Sequence, residues 1–425
     1  MTKNENIKNS IRATRKRHSQ MTCCVFEMKI VRGKLSFEKK DYLDALFREA
    51  KWLRNSELAK DNISLLDRNA VEVNVKVGET FEVHRLTHLG SQMKQDIVDQ
   101  LKSDIKGLSV LKEHGHKVGK LKFKSSCNSV PLRQYGRTFR IDFKKNTISV
   151  QGFKKPFKVR GLKQLPTDCE IANAKLVRKP SGYYFHITAF CKPAESKPTG
   201  AVCGIDFGIG HNLTLDDDKT YDICVSETKS VKLASKKINK VLCHNGKKKS
   251  KNHYKRVARL RRAYERQNNI KRDKSNKIVH DILTKYDFIA VQDEMIANWH
   301  KGLYGKQVQH SLMGYIIAKL KNSSKTHVVE RRFPSTQKCP VCGKNTKHPV
   351  SQRYYKCKYC GYYYPSRDGK SAKLILNEAL RNASDHIVSP EQRAQSPVET
   401  KPAVAGTLSD VGDKVSSLKQ EAQVL

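Results

Sequence analysis

Four cysteines in the last third of the chain have the spacing of a metal-binding ribbon. They form two pairs, Cys339-Pro-Val-Cys342 and Cys357-Lys-Tyr-Cys360, with fourteen residues (343–356) between the pairs. Four thiolates presented on two tight turns can complete a tetrahedral Zn²⁺ site with Zn–S distances of about 2.3 Å. Two disulfides are the competing interpretation. The spacing predicts one structural zinc ion bound by all four cysteines.

Three acidic residues have positions suited to holding catalytic cations. Asp206 interrupts the apolar strand GIDFGIG, Glu294 ends the apolar strand FIAVQDE, and Asp368 opens a helix eight residues after the last ribbon cysteine. A carboxylate inside an apolar strand is costly unless it is paired or binds a metal. Oxygen ligands suit Mg²⁺ or Mn²⁺, and two such ions would stabilise both the attacking and the leaving oxygen of a phosphodiester. Taken singly, each acid could be a surface residue, and Asp368 could be only a helix cap.

The middle acid has a neighbour that competes for the assignment. Asp293 and Glu294 are adjacent, and neighbouring residues on a strand face opposite sides of the sheet. Ile296 follows Glu294 at the second position and would continue the same face into apolar packing. The pattern favours Glu294, and Asp293 stays the alternative.

The elements after residue 200 are expected to bring the three acids to one edge of a sheet. Three consecutive strands begin at Ala201 and are followed by a long basic helical stretch (228–283), a strand at 288–294, a helix at 308–322 and a strand at 327–333. A last helix starts near Asp368. This is the order of an RNase H-like α/β domain. The predicted boundaries are 201–338 and 361–382 for that domain, 339–360 for an inserted zinc ribbon, and 383–425 for a disordered tail.

The first 200 residues predict a β-rich domain interrupted by helices. Strand patterns cover 21–37 and 120–195, and helical periodicity dominates 38–119, while residues 1–20 read as a disordered basic arm. In the predicted strand KLKFKS, the side chains of Lys120, Lys122 and Lys124 share one face. That face is either solvated or in contact with phosphates.

The charge of the chain points to a polyanionic partner. Its 425 residues carry 83 Lys+Arg against 41 Asp+Glu, a formal net charge of +42, which favours nucleic acid as the partner. One helical stripe of the basic stretch is predicted to follow a phosphate backbone, with a solvated face as the alternative: Lys255, Arg259, Arg262 and Arg266. Four nearby rings could stack on bases or pack in the core: Tyr254, Tyr264, Trp299 and His300.

The cellular location is expected to be the cytoplasm. The sequence has no apolar run of about 18 residues and no export signal, so no membrane partner is expected. The eight cysteines outside the quartet are scattered and read as reduced thiols. The oligomeric state stays open.

Several motifs together resemble one known family. GIDFGIG, the QDE strand, FPSTQKCPVCG, CKYCG and SRDGKSA are similar to the transposon-encoded TnpB proteins and to the miniature type V CRISPR effectors descended from them. The resemblance is good over about 201–380 and covers only the general architecture before that. It implies an α+β multidomain protein, in which a β-barrel-like wedge domain with a helical recognition insertion precedes an RNase H-like (RuvC) domain with an inserted zinc ribbon.

The resemblance also implies an activity. Asp206, Glu294 and Asp368 would be RuvC-type metal-binding acids of an RNA-guided DNA endonuclease in a prokaryotic, nucleoid-associated setting. The guide RNA would come from a transposon end or a CRISPR array, and the protein would read a short motif flanking the target DNA.

The sequence departs from the family pattern in two places. It has QDEMI where many relatives have an acid followed by Asp-Leu, and it has Lys370 and Leu374 where many relatives carry Asn. A non-catalytic nucleic-acid-binding transposition regulator is the alternative function, although the presence of all three acids argues against a decayed site. A cut-and-paste transposase is disfavoured, because no helix-turn-helix signal accompanies the acids.

Overall fold

The computed structural model describes residues 3–192, 198–208, 212–242, 250–349 and 351–387. The chain divides into two compact units between residues 194 and 195. Within the described ranges, no helix combines the length and the apolar character needed to cross a membrane.

The first unit is mixed α and β. Its helices are α1 (Lys3–Ser19), α2 (Phe37–Leu58) and α3 (Ser91–Glu113). Its strands are β1 (Thr22–Ile30), β2 (Glu72–Val77), β3 (Thr80–Arg85), β4 (Ser129–Leu132), β5 (Phe139–Asp142), β6 (Thr147–Val150), β7 (Phe157–Arg160), β8 (Glu170–Lys179) and β9 (Gly182–Cys191).

A seven-stranded antiparallel sheet forms the body of this unit. Its order is β4-β8-β9-β1-β7-β6-β5, and it is barrel-like. The early strand β1 lies between β9 and β7, so a strand that precedes α2 and α3 pairs with strands that come more than a hundred residues later. Inward-facing Met28, Phe157 and Phe185 pack with Leu46 and Phe47 of α2 into one buried core, which holds helix and sheet together.

The N-terminal segment differs from the prediction of a disordered arm over 1–20, because α1 is a helix. Its C-terminal turn is tied to the sheet. Arg17 donates two hydrogen bonds of 2.9 Å to the carboxylate of Glu170, and the ring of His18 stacks on Phe190 with 3.6 Å between centroids. Basic residues also suit the C-terminal end of a helix dipole. These tertiary contacts have no local sequence signal.

The predicted strand at 120–125 is absent. Its backbone bonds to a helix side chain instead: Asn55 Nδ2 donates to the carbonyl of Lys124, and the Lys124 amide donates to Asn55 Oδ1, both at 2.9 Å. Because these polar groups are satisfied by Asn55, the segment runs beside α2 without joining a sheet. The side chains of Lys122 and Lys124 are exposed.

A β-hairpin, missed by the sequence analysis, lies within the predicted helical insertion at 38–119. Strands β2 and β3 pair over six residues each around a turn at Gly78, whose φ of +64° favours glycine. The alternating run VEVNVKV followed by Gly-Glu is the local signal that could have revealed it.

The second unit contains the predicted acids and the cysteine quartet. Its strands are β10 (Val202–Phe207), β11 (Asn212–Leu215), β12 (Thr220–Asp222), β13 (Phe288–Gln292), β14 (Thr326–Val329), β15 (Tyr355–Lys356) and β16 (Tyr363–Tyr364). Its helices are α4 (Lys229–Leu242), α5 (Lys251–Lys285), α6 (Ile296–Lys301), α7 (Gly305–His310), α8 (Met313–Lys321) and α9 (Arg367–Ile387).

The five-stranded sheet of this unit has the order β12-β11-β10-β13-β14. The first three strands pair antiparallel, while β10, β13 and β14 run parallel. The observed order of elements follows the predicted one, except that the basic helical stretch predicted at 228–283 contains two helices, α4 and α5, and that α6 was not predicted. Some predicted bounds also differ. The predicted helix at 308–322 is divided between α7 and α8, and the last helix continues to Ile387, past the predicted start of the tail at 383. Residues 388–425 lie outside the described residues.

Helix α9 packs directly on β10, and a glycine makes this possible. A Cβ atom at position 204 would lie 2.0 Å from the carbonyl oxygen of Ala372 and 2.9 Å from the Cβ of Leu376. Residue 204 therefore has to be glycine for α9 to lie this close to the sheet. On the other face of the strand, Cys203, Ile205 and Phe207 are buried in a separate core.

Candidate metal-binding active site

Asp206 lies on the face of β10 that α9 covers. Strand alternation places it on the same side as Gly204, which contacts the helix, and opposite Ile205 and Phe207. It pairs with Thr214 of β11. The residue is half-buried, next to the carboxyl end of a central strand.

Glu294 follows the end of β13, the strand parallel to β10. Ala290 packs against α9, and Gln292 continues that face, so alternation carried past the end of the strand directs Glu294 toward α9. By the same alternation, Asp293 faces the opposite side from Glu294, and its carboxylate forms ion pairs with Lys321 and Arg331. Its pKa is lowered, first by the hydrogen bond from Lys321 and then by that from Arg331.

Asp368 occupies the first turn of α9. The capping role belongs to Ser366, whose hydroxyl accepts the amide of Gly369 at 3.0 Å and whose carbonyl accepts the amide of Lys370 at 2.9 Å. The carboxylate of Asp368 lies 3.6 Å from a nitrogen of Arg353 and 3.5 Å from one of Arg367. Asp368 is therefore not the N-cap of α9 but lies within its first turn.

The electrostatics connect the three acids. Removal from water, then the charges of Asp368 and Glu294, raise the pKa of Asp206 to about 7, although Arg367 and Lys370 act against the shift. Burial, followed by the charge of Asp293, raises the pKa of Glu294 to about 7. The charges of Asp368 and Glu294 therefore disfavour the ionised form of Asp206. Oxygen donors in this state fit divalent cations such as Mg²⁺.

The three acids are spaced more widely than the cysteine ligands. Among the described residues, the quartet is the one group of three or more metal-type side chains whose donor atoms all lie within 4.8 Å of one another. The charges of Asp368 and Glu294 act on Asp206, but the three acids do not form a closed cluster of that size. Arg353 and Arg367 partly neutralise Asp368 at this separation.

The cysteine quartet fits a zinc ion. Cys339 and Cys360 place their sulfurs 3.6 Å apart, as do Cys342 and Cys357, close to the roughly 3.8 Å edge of a tetrahedron with Zn–S bonds of about 2.3 Å. All four are free thiols, which argues against the two-disulfide alternative. Burial opposes ionisation of Cys357, but N–H donors from Cys360 and Tyr359 lower its pKa to about 6.

Two buried polar residues next to the acids were not predicted. The side-chain amide of Gln292 donates to the carbonyl of Phe333 at 2.6 Å and, at 3.3 Å, to those of Glu330 and Arg331, while its oxygen accepts the hydroxyl of Ser335 at 2.8 Å. This ties the end of β13 to the chain entering the ribbon. The signal in the sequence is a glutamine inside the apolar strand FIAVQ, which needs buried partners.

The predicted basic stripe lies on α5. Its four members are exposed: Lys255, Arg259, Arg262 and Arg266. Tyr254 and Tyr264 are also exposed, with 63% and 42% of their surface accessible. Trp299 instead packs against the core of the unit, which supports core packing over base stacking for this ring. His300 is exposed.

Two family models match consecutive parts of the chain from residue 185 onward. Residues 185–301, which include Asp206 and Glu294, match OrfB_IS605, described as a probable transposase. Residues 310–375, which include the quartet and Asp368, match the TNB domain of Cas12f1-like proteins. The resemblance to TnpB proteins and miniature type V effectors is confirmed.

Other comparisons add little. No curated protein matches the chain. A solved structure titled as a cryo-EM CRISPR-Cas12f ternary complex aligns with 68% of this chain and 70% of that chain, at 12% identity and a TM-score of 0.26. That likeness is too low to carry a conclusion about fold or function.

Proposed function

We propose that this protein is an RNA-guided DNA endonuclease that hydrolyses phosphodiester bonds with divalent cations. The observation that carries the proposal is the acid site beside α9, where burial and the charges of Asp368 and Glu294 together raise the pKa of Asp206 in a strongly basic chain. Both matched family segments contribute acids to this site, which supports placing the chemistry there.

The chain's own groups have separable roles in this proposal. Asp206, Glu294 and Asp368 would hold Mg²⁺ or Mn²⁺, which when bound would activate water and stabilise the leaving oxygen of the phosphodiester. In this proposal, the parallel strands β10 and β13 and the first turn of α9 would present the three carboxyl groups to the same cations. The carboxylate of Asp293 forms ion pairs with Lys321 and Arg331, so Asp293 would not bind the catalytic cations.

The charge of the chain supports RNA and DNA as its partners. A guide RNA, from a transposon end or a CRISPR array, would neutralise much of the +42 excess, and the exposed stripe of α5 would contact phosphates. Base pairing would select the target DNA, and the protein would read a short flanking motif.

Co-expression with the native flanking locus tests the partner. We expect one structured RNA from that locus to copurify at moderate salt, because folded RNA adds shape and 2′-hydroxyl contacts to the phosphate contacts. Sequencing the bound RNA identifies the guide, and a DNA target library matched to it should be cut in Mg²⁺. A random mixture of host RNA without cleavage would contradict the proposal and favour the non-catalytic regulator.

The raised carboxyl pKa values predict a pH-dependent response to Mg²⁺. The pKa values of Asp206 and Glu294 are about 7 in the folded protein, against 3.8 and 4.5 ordinarily, so metal-free stability should fall as pH rises toward and through 7. Mg²⁺ binds the ionised form. At pH 8, Mg²⁺ at 100 times its Kd should add about 2.7 kcal/mol and raise Tm by about 5–10 °C, with a much smaller shift at pH 6.

Thermal melts at the two pH values measure this response. The matched control is the double variant Asp206→Asn, Glu294→Gln, which keeps the side-chain shapes and should show little Mg²⁺ response at either pH. Equal Mg²⁺ shifts at pH 6 and pH 8 in the unaltered protein would contradict the prediction.

A further inference from the structure

Lys370, two residues after Asp368, is a buried lysine with a complete set of acceptors. Only 1% of its surface is accessible. Its ammonium donates to the carbonyls of Ser335 and Thr336 at 2.9 Å and of Lys338 at 3.1 Å. A buried ammonium is tolerated only when its three donors are satisfied, so the three carbonyls fix both the lysine and the segment that supplies them.

The same ammonium reaches the base of the cysteine ribbon. Its nitrogen lies 3.9 Å from the centre of the Tyr355 ring, which is fully buried in the small ribbon core with Cys339 and Cys357. The Tyr355 hydroxyl donates to the carbonyl of Gln337 at 3.1 Å. Lys370 is thus enclosed by the chain that leads into the first zinc ligand and by the main aromatic side chain of the ribbon.

The segment that Lys370 holds is also bound to the strand of the middle acid. Ser335 donates its hydroxyl to Gln292 and accepts Lys370 at its carbonyl. The chain of contacts therefore runs from the end of β13, two residues before Glu294, through Ser335 to the first turn of α9. All three members are buried, with 6%, 4% and 1% of their surfaces accessible for Gln292, Ser335 and Lys370.

We infer that Lys370 is a positioning residue, which together with Ser335 and Gln292 sets the position of Asp368 relative to Glu294. Through the same contacts, the first turn of α9 is held in place only while the zinc ribbon is folded. The lysine itself does not contact a reacting atom in this role. Its part in cleavage rests on the proposed nuclease function, but its structural part does not.

Amide hydrogen exchange on the full-length protein tests the structural part. In the unaltered protein, removing zinc with a chelator should accelerate exchange in residues 367–372 about tenfold. In Lys370→Met, these amides should exchange about tenfold faster with zinc still bound, and chelation should add little. Lys319→Met is the control, since Lys319 is an exposed lysine on α8, and its exchange in 367–372 should match that of the unaltered protein.

Guided cleavage tests the positioning part. Because a displacement of about 1 Å can cost about 10²-fold in rate, Lys370→Met should cut about 10²-fold more slowly with guide and target binding unchanged. Propylammonium should restore part of the rate to Lys370→Ala by entering the vacated site. Ser335→Ala, which keeps the carbonyl for Lys370, should also cut more slowly, and its loss should not add to that of Lys370→Met.

The outcomes separate this inference from the proposed function. If the unaltered protein does not cut, the nuclease proposal fails, and the exchange measurement still decides whether Lys370 couples the ribbon to α9. If Lys370→Met loses zinc, the test passes to Ser335→Ala. In that variant the amides of residues 292–294 should exchange faster than in the unaltered protein while zinc stays bound. Unchanged exchange and cleavage in either zinc-bound variant, or strictly additive losses in the double variant, would overturn the inference.

Discussion

Replacement of any one of Asp206, Glu294 and Asp368 by alanine is expected to abolish DNA cleavage and to leave RNA-guided target binding nearly intact. The acids hold the catalytic cations in the proposed mechanism, whereas affinity comes from phosphate contacts and base pairing. A loss of about 4 kcal/mol of transition-state stabilisation corresponds to about 10³-fold in rate. Cleavage of a labelled duplex and binding by gel shift would be measured on the same preparations.

Asp206→Asn is the sharpest of these variants. It keeps the shape of a half-buried side chain and removes the charge that the neighbouring carboxylates oppose, so a folding defect is not expected. Its Tm should equal or exceed that of the unaltered protein above pH 7. Normal cutting by this variant, or cutting that persists in EDTA, would remove the metal mechanism.

The pair Asp293→Ala and Glu294→Ala decides the middle acid. Asp293 is bound to Lys321 and Arg331, and its pKa is lowered by those contacts. The pKa of Glu294 is instead raised to about 7, first by burial and then by the charge of Asp293. Asp293→Ala should therefore lower stability modestly and retain cutting. An inactive Asp293→Ala beside a normal Glu294→Ala would reverse the assignment.

Candidate metal-binding residues could be identified from the sequence, because metal coordination restricts which residue types can serve as ligands and how far apart they lie along the chain. Two CxxC pairs need no tertiary knowledge to suggest zinc, and the sulfur distances agree with that expectation. Asp206 was conspicuous because a carboxylate inside an apolar strand needs a reason. Most of the order of strands and helices in the second unit followed from periodicity alone, although α6 was missed.

Contacts between distant segments could not be predicted in this way. The partners of Gln292 lie at 330–335, and those of Lys370 at 335–338 and 355, so neither residue carries a local pattern that identifies its role. Helix α1 is secured by Glu170 and Phe190, far along the chain. The segment 120–125 has a strand-like alternation, but Asn55 satisfies part of its backbone in place of a neighbouring strand.

Removal of zinc is expected to unfold the ribbon locally and to weaken cleavage. The ribbon core consists of Tyr355, Cys339 and Cys357 with a few partly buried neighbours, too little apolar surface to fold without a metal. Structural zinc in small peptides contributes about 10–16 kcal/mol of apparent binding free energy, so nearly all the local stability should depend on the ion. Elemental analysis should find one zinc per chain, and Cys339→Ser should lose it.

Limited proteolysis locates the effect. Cleavage sites within 339–360 should open in Cys339→Ser or after chelation, while the seven-stranded sheet of the first unit stays resistant, because its core shares no residue with the ribbon. Cys224→Ser, a substitution at a free thiol outside the quartet, is the matched control and should retain both zinc and resistance. Guided cutting should fall in Cys339→Ser because α9 loses its attachment through Lys370 to the chain entering the ribbon. Fully active protein without zinc would show that the four sulfurs do not need the ion to hold α9 in place.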